Sequence, residues 1–239
     1  MFYEPNQSPY DFRFQLLGIP VRVSPWFWFW SVVLGMSAGG ARELILWVLA
    51  VFLSILIHEM GHAVVIRHYG FRPRIVLYSF GGLTIHDRTH RLMWYENIFI
   101  SFAGPLAGFL FLGSVLGIFY LMGYRTIGNL VLCMFSSVEI PLVMSRNLTF
   151  FLLFLTQVNL FWGILNLLPI FPLDGGQISR EFCQRLSPAY GFRWMLQVST
   201  GTAAAMALFF LFAMNSMFAA MMFGMIAFSN YQMLKMASY

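Results

Sequence analysis

The stretch Ser54-Ile55-Leu56-Ile57-His58-Glu59-Met60-Gly61-His62-Ala63-Val64-Val65-Ile66 sets three ionisable residues inside a continuous apolar run. Residues four apart share a helix face, so His58 and His62 can bind one metal ion. Glu59 lies about 100° round the helix from His58, where it can take a proton from a water molecule that the metal activates. Ionisable groups at membrane depth are costly unless they serve a function. The run therefore predicts a metal site inside a membrane-spanning helix.

The composition of the chain indicates that it needs lipid as its solvent. Of its 239 residues, 59% are hydrophobic and 10% are charged, whereas soluble domains have about 45–50% apolar and about 25% charged residues. The 14 Lys and Arg are scattered between apolar stretches, so we expect a protein in contact with the lipid bilayer and no nucleic-acid partner. The two cysteines, Cys133 and Cys183, form no CxxC pair, and a disulfide framework is not expected.

Hydrophobic segments predict an all-α polytopic membrane protein with about six transmembrane helices. Five segments reach spanning length: residues 44–69, 95–122, 148–168, 194–214 and 216–236. A sixth, 26–38, is short for a full span, and 129–144 is interpreted as interfacial or partly re-entrant because it holds Glu139 and Pro141. No linker or repeat divides the chain, so we expect one transmembrane domain over residues 1–239.

The distribution of positive charge predicts the orientation of the chain. With the amino terminus in the cytoplasm and six alternating spans, Arg42, Arg125 and Arg146 lie outside and the other Lys and Arg lie on the cytoplasmic side. This split obeys the positive-inside bias. We expect an integral multi-pass protein of the bacterial cytoplasmic membrane with both termini in the cytoplasm.

Residues 71–87 interrupt the apolar pattern. Two short β-rich runs, 75–80 and 83–86, flank Gly81-Gly82, which is typical of a hairpin. The alternative is a plain surface loop. We predict a small membrane-associated β-hairpin.

A catalytic zinc needs a third protein ligand, and three residues are candidates. His68 lies ten residues after His58, but on an unbroken helix it faces away from the first two histidines. Glu96 begins the next span without supporting context. Asp174 follows Pro169 and Pro172 and precedes Gly175-Gly176, so it lies in broken backbone at membrane depth. Such backbone must line a cavity or be buried in protein, and this favours Asp174 as the ligand.

The pairing of an intramembrane HExxH with a later NxxPxxPxDG resembles the site-2 protease family of intramembrane zinc metalloproteases. The resemblance covers about residues 15–236 and implies one Zn²⁺ per chain, held by His58, His62 and Asp174, with Glu59 as the general base. It also implies that Asn166 helps to bind substrate. Asn159 lies on the same helix face, and we assign it either a substrate or oxyanion role or an interhelical hydrogen bond. Ala103-Gly104-Pro105 is similar to the family's AGP segment.

The resemblance implies an enzyme that hydrolyses peptide bonds within or near transmembrane segments of substrate proteins. It implies a transmembrane helix as the substrate and leaves room for a regulatory membrane partner. We expect a minimal core, without a PDZ or a nucleotide-binding domain. Two other classes of function are a metal transporter and an inactive helix-binding scaffold. Neither needs Glu59, so the intact glutamate favours the protease.

The choice between third ligands gives a direct prediction. Replacing Asp174 by Ala should lower the zinc content of the purified chain sharply, whereas His68→Ala should leave it nearly unchanged, because only Asp174 lies in backbone shaped for a ligand. Metal analysis of both variants beside the wild type measures this. The opposite result would support a three-histidine site.

Overall fold

The structure is a computed structural model that describes residues 7–79, 81–87, 92–135 and 138–237. Helices dominate these residues, and the strands lie in the first part of the chain. In chain order the elements are β1 (Phe12–Leu16), β2 (Ile19–Val23), α1 (Pro25–Gly35), α2 (Ala41–His68), β3 (Pro73–Tyr78), β4 (Gly81–His86), α3 (Trp94–Leu121), α4 (Asn129–Leu132), α5 (Arg146–Gln157), α6 (Gly163–Asn166), α7 (Asp174–Leu186), α8 (Gly191–Phe212) and α9 (Met217–Met236). A π-helical turn, Val158–Trp162, joins α5 to α6.

Within the described residues, five helices are long and apolar enough to cross a membrane. They are α2, α3, the composite helix Arg146–Asn166, α8 and α9, with 20 to 28 residues each and mean hydropathies of 1.2 to 2.1. A spanning helix needs about 20 apolar residues. The predicted fold class, a polytopic helical membrane protein, is confirmed.

The sixth predicted span, residues 26–38, forms the short helix α1. Its 11 residues extend about 16 Å, roughly half of a bilayer core of about 30 Å. It packs closely on α2, because Trp47 Nε1 donates to the carbonyl of Ser31 at 3.0 Å and a Cβ on Gly35 would overlap Trp47. The ambiguous segment 129–144 contains only α4, four residues long, in its described part. The sequence predicted about six transmembrane helices, and the described residues contain five helices of spanning length together with the short helix α1.

The predicted hairpin is present as β3 and β4, an antiparallel pair, although Phe80 lies outside the described residues. It belongs to a wider sheet with the strand order β1-β2-β3-β4. The β1–β2 pair is antiparallel and the β2–β3 pair is parallel. Sequence analysis missed β1 and β2, which are joined by the two-residue turn Leu17-Gly18 with φ values of 50° and 75°. Such turns usually carry Asn-Gly or Asp-Gly, so the sequence Leu17-Gly18 did not indicate a hairpin.

The apolar face of this sheet packs against α2. Strand residues Ile19, Val21, Val23, Ile75 and Leu77 are nearly or completely buried and share one core with α2. The α2 residues of that core are Val51, Ile55, Leu56, Met60 and Ala63. They surround the predicted metal-binding turn, so the sheet is fixed directly beside it.

The chain forms two compact units. The first contains the sheet, α1, α2, α3 from Ala103, and the composite helix up to Gly163. The second contains the start of α3 and everything from Ile164, with a core that includes Ile170, Ala203 and Phe223. The organisation of residues 1–239 as one domain stays a prediction.

Candidate metal centre

The predicted metal-binding turn is buried in the first unit. His58, Glu59 and His62 have only 5%, 5% and 7% of their surface exposed. The two Nε2 atoms are 3.2 Å apart, and ligand atoms of all three side chains lie within 4.8 Å of one another. Among the described residues, these three side chains form the one group of three or more His, Cys, Asp or Glu that could hold a metal ion.

The spacing of the two histidines fits zinc. Zinc binds imidazole nitrogen at about 2.0–2.1 Å with tetrahedral geometry, which separates two nitrogen ligands by about 3.3 Å. The observed Nε2 separation of 3.2 Å matches this value. The pair therefore offers two of the ligands that a zinc ion requires.

A glycine on α3 leaves room at these nitrogens. A Cβ on Gly104 would overlap His62 Nε2 and would lie 2.8 Å from His58 Nε2. On α2, a Cβ on Gly61 would overlap the carbonyl of Ala103 and lie 2.7 Å from the Ala107 Cβ. Sequence analysis noted Gly104 only within the AGP resemblance. In the structure, small residues let α3 approach the histidine pair closely.

Strand β4 contacts Glu59 directly. Thr84 Oγ1 donates a hydrogen bond to Glu59 Oε2 at 2.7 Å and lies 3.1 Å from the Glu59 carbonyl oxygen. A Cβ on Gly82 would overlap the Glu59 side chain. Burial raises the pKa of Tyr78 on the neighbouring strand, and the negative charge of Glu59 raises it further.

Sequence reasoning missed Thr84 and Gly82. The only indication in the sequence is that the predicted hairpin follows the metal-binding helix closely, so the hairpin can fold back over that helix.

Asn159 lies in the π-helical turn and is 3% exposed. Its amide nitrogen donates to Ser54 Oγ and to the Leu155 carbonyl, both at 2.8 Å. These bonds use both amide hydrogens. Since Ser54 lies one turn before His58 on α2, Asn159 ties the composite helix to the metal-binding helix. This contact supports the interhelical alternative, and a direct role at the site stays a prediction.

Asp174 and Asn166 belong to the second unit and are described within it. Asn166, 8% exposed, ends α6, and Asp174 is the first residue of α7 with a buried Oδ2 atom. A Cβ on Gly175 would overlap the Leu167 and Leu168 carbonyls, so the glycine lets α7 begin directly against this loop.

Two buried polar side chains hold the loop before Asp174 through hydrogen bonds to the backbone of a single residue, Phe171. The Phe171 N–H donates to Ser199 Oγ on α8, and Asn230 Nδ2 on α9 donates to the Phe171 carbonyl, both at 2.7 Å. Ser199 and Asn230 are completely buried in apolar helices, where polar groups need partners. The N–H and the carbonyl group of Phe171 are therefore both held in place, three residues before Asp174.

The two other candidate ligands have different surroundings. His68 is the last residue of α2 and is exposed. Glu96 lies in the first turn of α3, where Oε2 accepts the N–H of Met93 at 2.7 Å. That bond satisfies a donor at the helix start, so the carboxylate has a structural role.

The sequence of this chain is similar to those of known proteins. The sequence profile of Peptidase family M50 matches residues 46–210, which is more than half of the chain. The chain belongs to this family. The matched region includes the HEMGH turn and Asp174.

A zinc metalloprotease of Methanocaldococcus jannaschii is 30% identical to this M50 member over 206 residues, which cover 83% of this chain and 52% of the relative. Stage IV sporulation protein FB of Bacillus subtilis is 27% identical over 161 residues, covering 67% and 46%. The solved structure of the site-2 protease from Methanocaldococcus jannaschii has a TM-score of 0.57 at 26% identity, covering 93% of this chain and 94% of that chain.

The chain spans about half the length of the curated relatives that it matches. The comparisons confirm the predicted resemblance to site-2 proteases, and several of the matched relatives are named zinc metalloproteases. Together with the histidine pair they agree with one zinc ion as the cofactor. The roles of the individual site residues stay predictions.

The Thr84 contact gives a prediction about Glu59. Thr84→Val keeps the side-chain shape but removes the hydroxyl that fixes Glu59 Oε2, so peptide cleavage should fall about tenfold, since hydrogen bonds to charged groups contribute about 1.5–3 kcal/mol. Zinc content should be unchanged. Kinetics of purified Thr84→Val and of Thr84→Ser, which restores the hydroxyl, measure this. Equal activity of the Val and Ser variants would show that the hydroxyl does not position Glu59.

Proposed function

We propose that this chain is an intramembrane zinc metalloprotease that hydrolyses peptide bonds within or near the transmembrane segments of other membrane proteins. The observation that carries the proposal is the buried turn of α2. It combines a histidine pair at zinc-ligand spacing with a carboxylate held by Thr84. A metal-binding protein without hydrolytic activity would have no need for that carboxylate.

His58, His62 and Asp174 would hold the zinc ion in the proposed site, and Glu59 would not be a ligand. A bound zinc supplies Lewis acidity, which acidifies water and polarises a carbonyl group. The loop of Asp174 is anchored by Ser199 and Asn230, which supports a role that needs a fixed side-chain position.

Glu59 moves the proton in the proposed reaction. Its Oε2 accepts the Thr84 hydroxyl, so we assign proton transfer to Oε1. Oε1 takes a proton from water as the water oxygen attacks the scissile carbonyl carbon. The same proton then goes to the amide nitrogen as the C–N bond breaks. Asn166 is our candidate for a hydrogen bond to substrate or oxyanion, because it is a buried amide at the end of a composite helix.

The proposed substrate is a transmembrane helix, which must unwind before its carbonyls can react. Strand β4 suits the unwound segment, because it lies at an edge of the sheet and contacts Glu59. β3 pairs with β2 on one side and β4 on the other, so it offers no edge.

The proposal extends to orientation and organisation. We infer one catalytic domain over residues 1–239 in a bacterial cytoplasmic membrane, with both termini in the cytoplasm, supported by the positive-inside distribution of Lys and Arg. A regulatory membrane partner is compatible with it. Labelling of single cysteines at the two termini from each side of the membrane tests the orientation.

Glu59→Gln tests the chemistry. The variant should keep about one zinc per chain, yet its cleavage should fall by a factor of hundreds or more, because the amide cannot accept the proton. The assay follows a tagged single-span protein that the wild-type chain cuts in liposomes, with metal analysis of the same preparations. Loss of zinc together with activity would instead make Glu59 a ligand.

The β4 edge can be tested independently of cleavage. A photo-crosslinking residue at Leu83 on β4 should capture the substrate segment in the inactive Glu59→Gln background, because the segment pairs with that edge. The same residue at Gln15 on β1, the opposite edge strand, should capture little. Mass spectrometry of the cross-linked products measures both. Equal capture at the two edges would contradict docking on β4.

A further inference from the structure

The loop of residues 167–173, which joins α6 to α7, is held through the backbone of one residue. The Phe171 N–H donates to Ser199 Oγ on α8, and the Phe171 carbonyl accepts from Asn230 Nδ2 on α9, both at 2.7 Å. Two other loop residues are prolines, which have no N–H to donate. Ser199 and Asn230 together form what we call the Phe171 clamp, which ties the loop to two helices of spanning length.

Both members of the Phe171 clamp are polar side chains in apolar helices. Ser199 and Asn230 are 0% exposed. Polar groups in spanning helices are costly, and they usually join one helix to another or belong to a functional site. The clamp bonds go to a loop instead. Asn230 Oδ1 is buried without a hydrogen-bond partner among the described residues, so the amide contributes through its donor to Phe171.

The neighbour of Ser199 on α8 shows how a hydroxyl is ordinarily accommodated in an apolar helix. Thr200 Oγ1 donates to the Leu196 carbonyl at 2.7 Å, a bond to the preceding turn that needs no other segment of the chain. The Ser199 hydroxyl accepts from a residue 28 positions away. Ser199 therefore acts on the loop, whereas Thr200 acts within its own helix.

The loop passes the position of Phe171 on to Asp174. The Leu173 N–H donates to the Ile170 carbonyl at 2.7 Å, and Ile170 is completely buried in the core of the second unit. A Cβ on Gly176 would overlap the Ile170 carbonyl and the Phe171 nitrogen, so the first turn of α7 lies directly against the loop. Asp174 is the first residue of that helix. A displacement of Phe171 therefore moves Asp174.

We propose that Ser199 and Asn230 are positioning residues that fix the Asp174 carboxylate for zinc binding. The inference rests on the proposed function, in which Asp174 is a zinc ligand. Partners that orient a ligand contribute about 10–100-fold to metal affinity, because an oriented ligand loses less freedom when the metal binds. The zinc affinity of the chain then depends on α8 and α9, although neither helix supplies a ligand in the proposed site.

The test measures the zinc dissociation constant of the purified full chain in detergent, by titration against a competing chelator. Ser199→Ala and Asn230→Leu each remove one bond of the Phe171 clamp without adding bulk, and each should raise the dissociation constant about tenfold. Thr200→Ala is the matched control, since it removes a hydroxyl from the next position of the same helix, and it should leave the constant nearly unchanged.

A double-mutant cycle separates positioning from a general loss of structure. If the clamp acts through Asp174, Ser199→Ala should have no further effect on zinc affinity in an Asp174→Ala background. Co²⁺ provides a second readout, because its visible absorption reports the geometry of its ligands. The clamp variants should shift the spectrum of bound Co²⁺, and Thr200→Ala should not.

The outcomes distinguish this inference from the proposed function. Wild-type zinc affinity and Co²⁺ spectra in both clamp variants, with zinc lost in Asp174→Ala, would overturn the inference and leave Asp174 as a ligand. An equal loss in Thr200→Ala, or additive losses in the double-mutant cycle, would also overturn it, because the effect would then not pass through Asp174. Wild-type zinc affinity in Asp174→Ala would overturn the ligand assignment and the inference together.

Discussion

The structure depends on one constraint, which is that three ionisable side chains on α2 are buried in an apolar helix. His58, Glu59 and His62 are each at most 7% exposed, and ionisable groups in such surroundings need compensating partners. The contacts of this turn supply them. Gly104 leaves space beside the imidazole nitrogens, and Thr84 gives Glu59 a hydrogen-bond donor. A zinc ion held by the histidines would complete this compensation.

The sheet has two different faces, and one of them fixes its position beside this turn. The apolar face forms a common core with α2, which fixes β4 at hydrogen-bonding distance from Glu59. The other face carries Arg13 and Arg22, which are direct partners across β1 and β2.

The sequence predicted the features that rest on local spacing. The helical HEMGH turn, the five long apolar helices and the β3–β4 hairpin all follow from patterns within a few residues. It did not predict contacts between distant segments. Thr84 on Glu59 and Asn159 on Ser54 join residues 25 and 105 positions apart, and no local pattern encodes such pairs. The strands β1 and β2 were missed because a leucine occupies a turn position that usually carries Asn or Asp.

The parallel pairing of β2 with β3 constrains how the chain passes through the bilayer. Paired strands must lie on the same side of the membrane, so the chain between Val23 and Pro73 has to cross an even number of times. Because α2 supplies one crossing, the segment of residues 24–40 must supply the return. Eleven of its residues form α1, which reaches about 16 Å, and the five residues that follow α1 form turns and bends, so they add little length. The segment is therefore shorter than the hydrocarbon core of about 30 Å, so the lipid beside α1 is expected to be compressed. A locally thin bilayer would bring water closer to the buried turn of α2 without opening a channel through the protein.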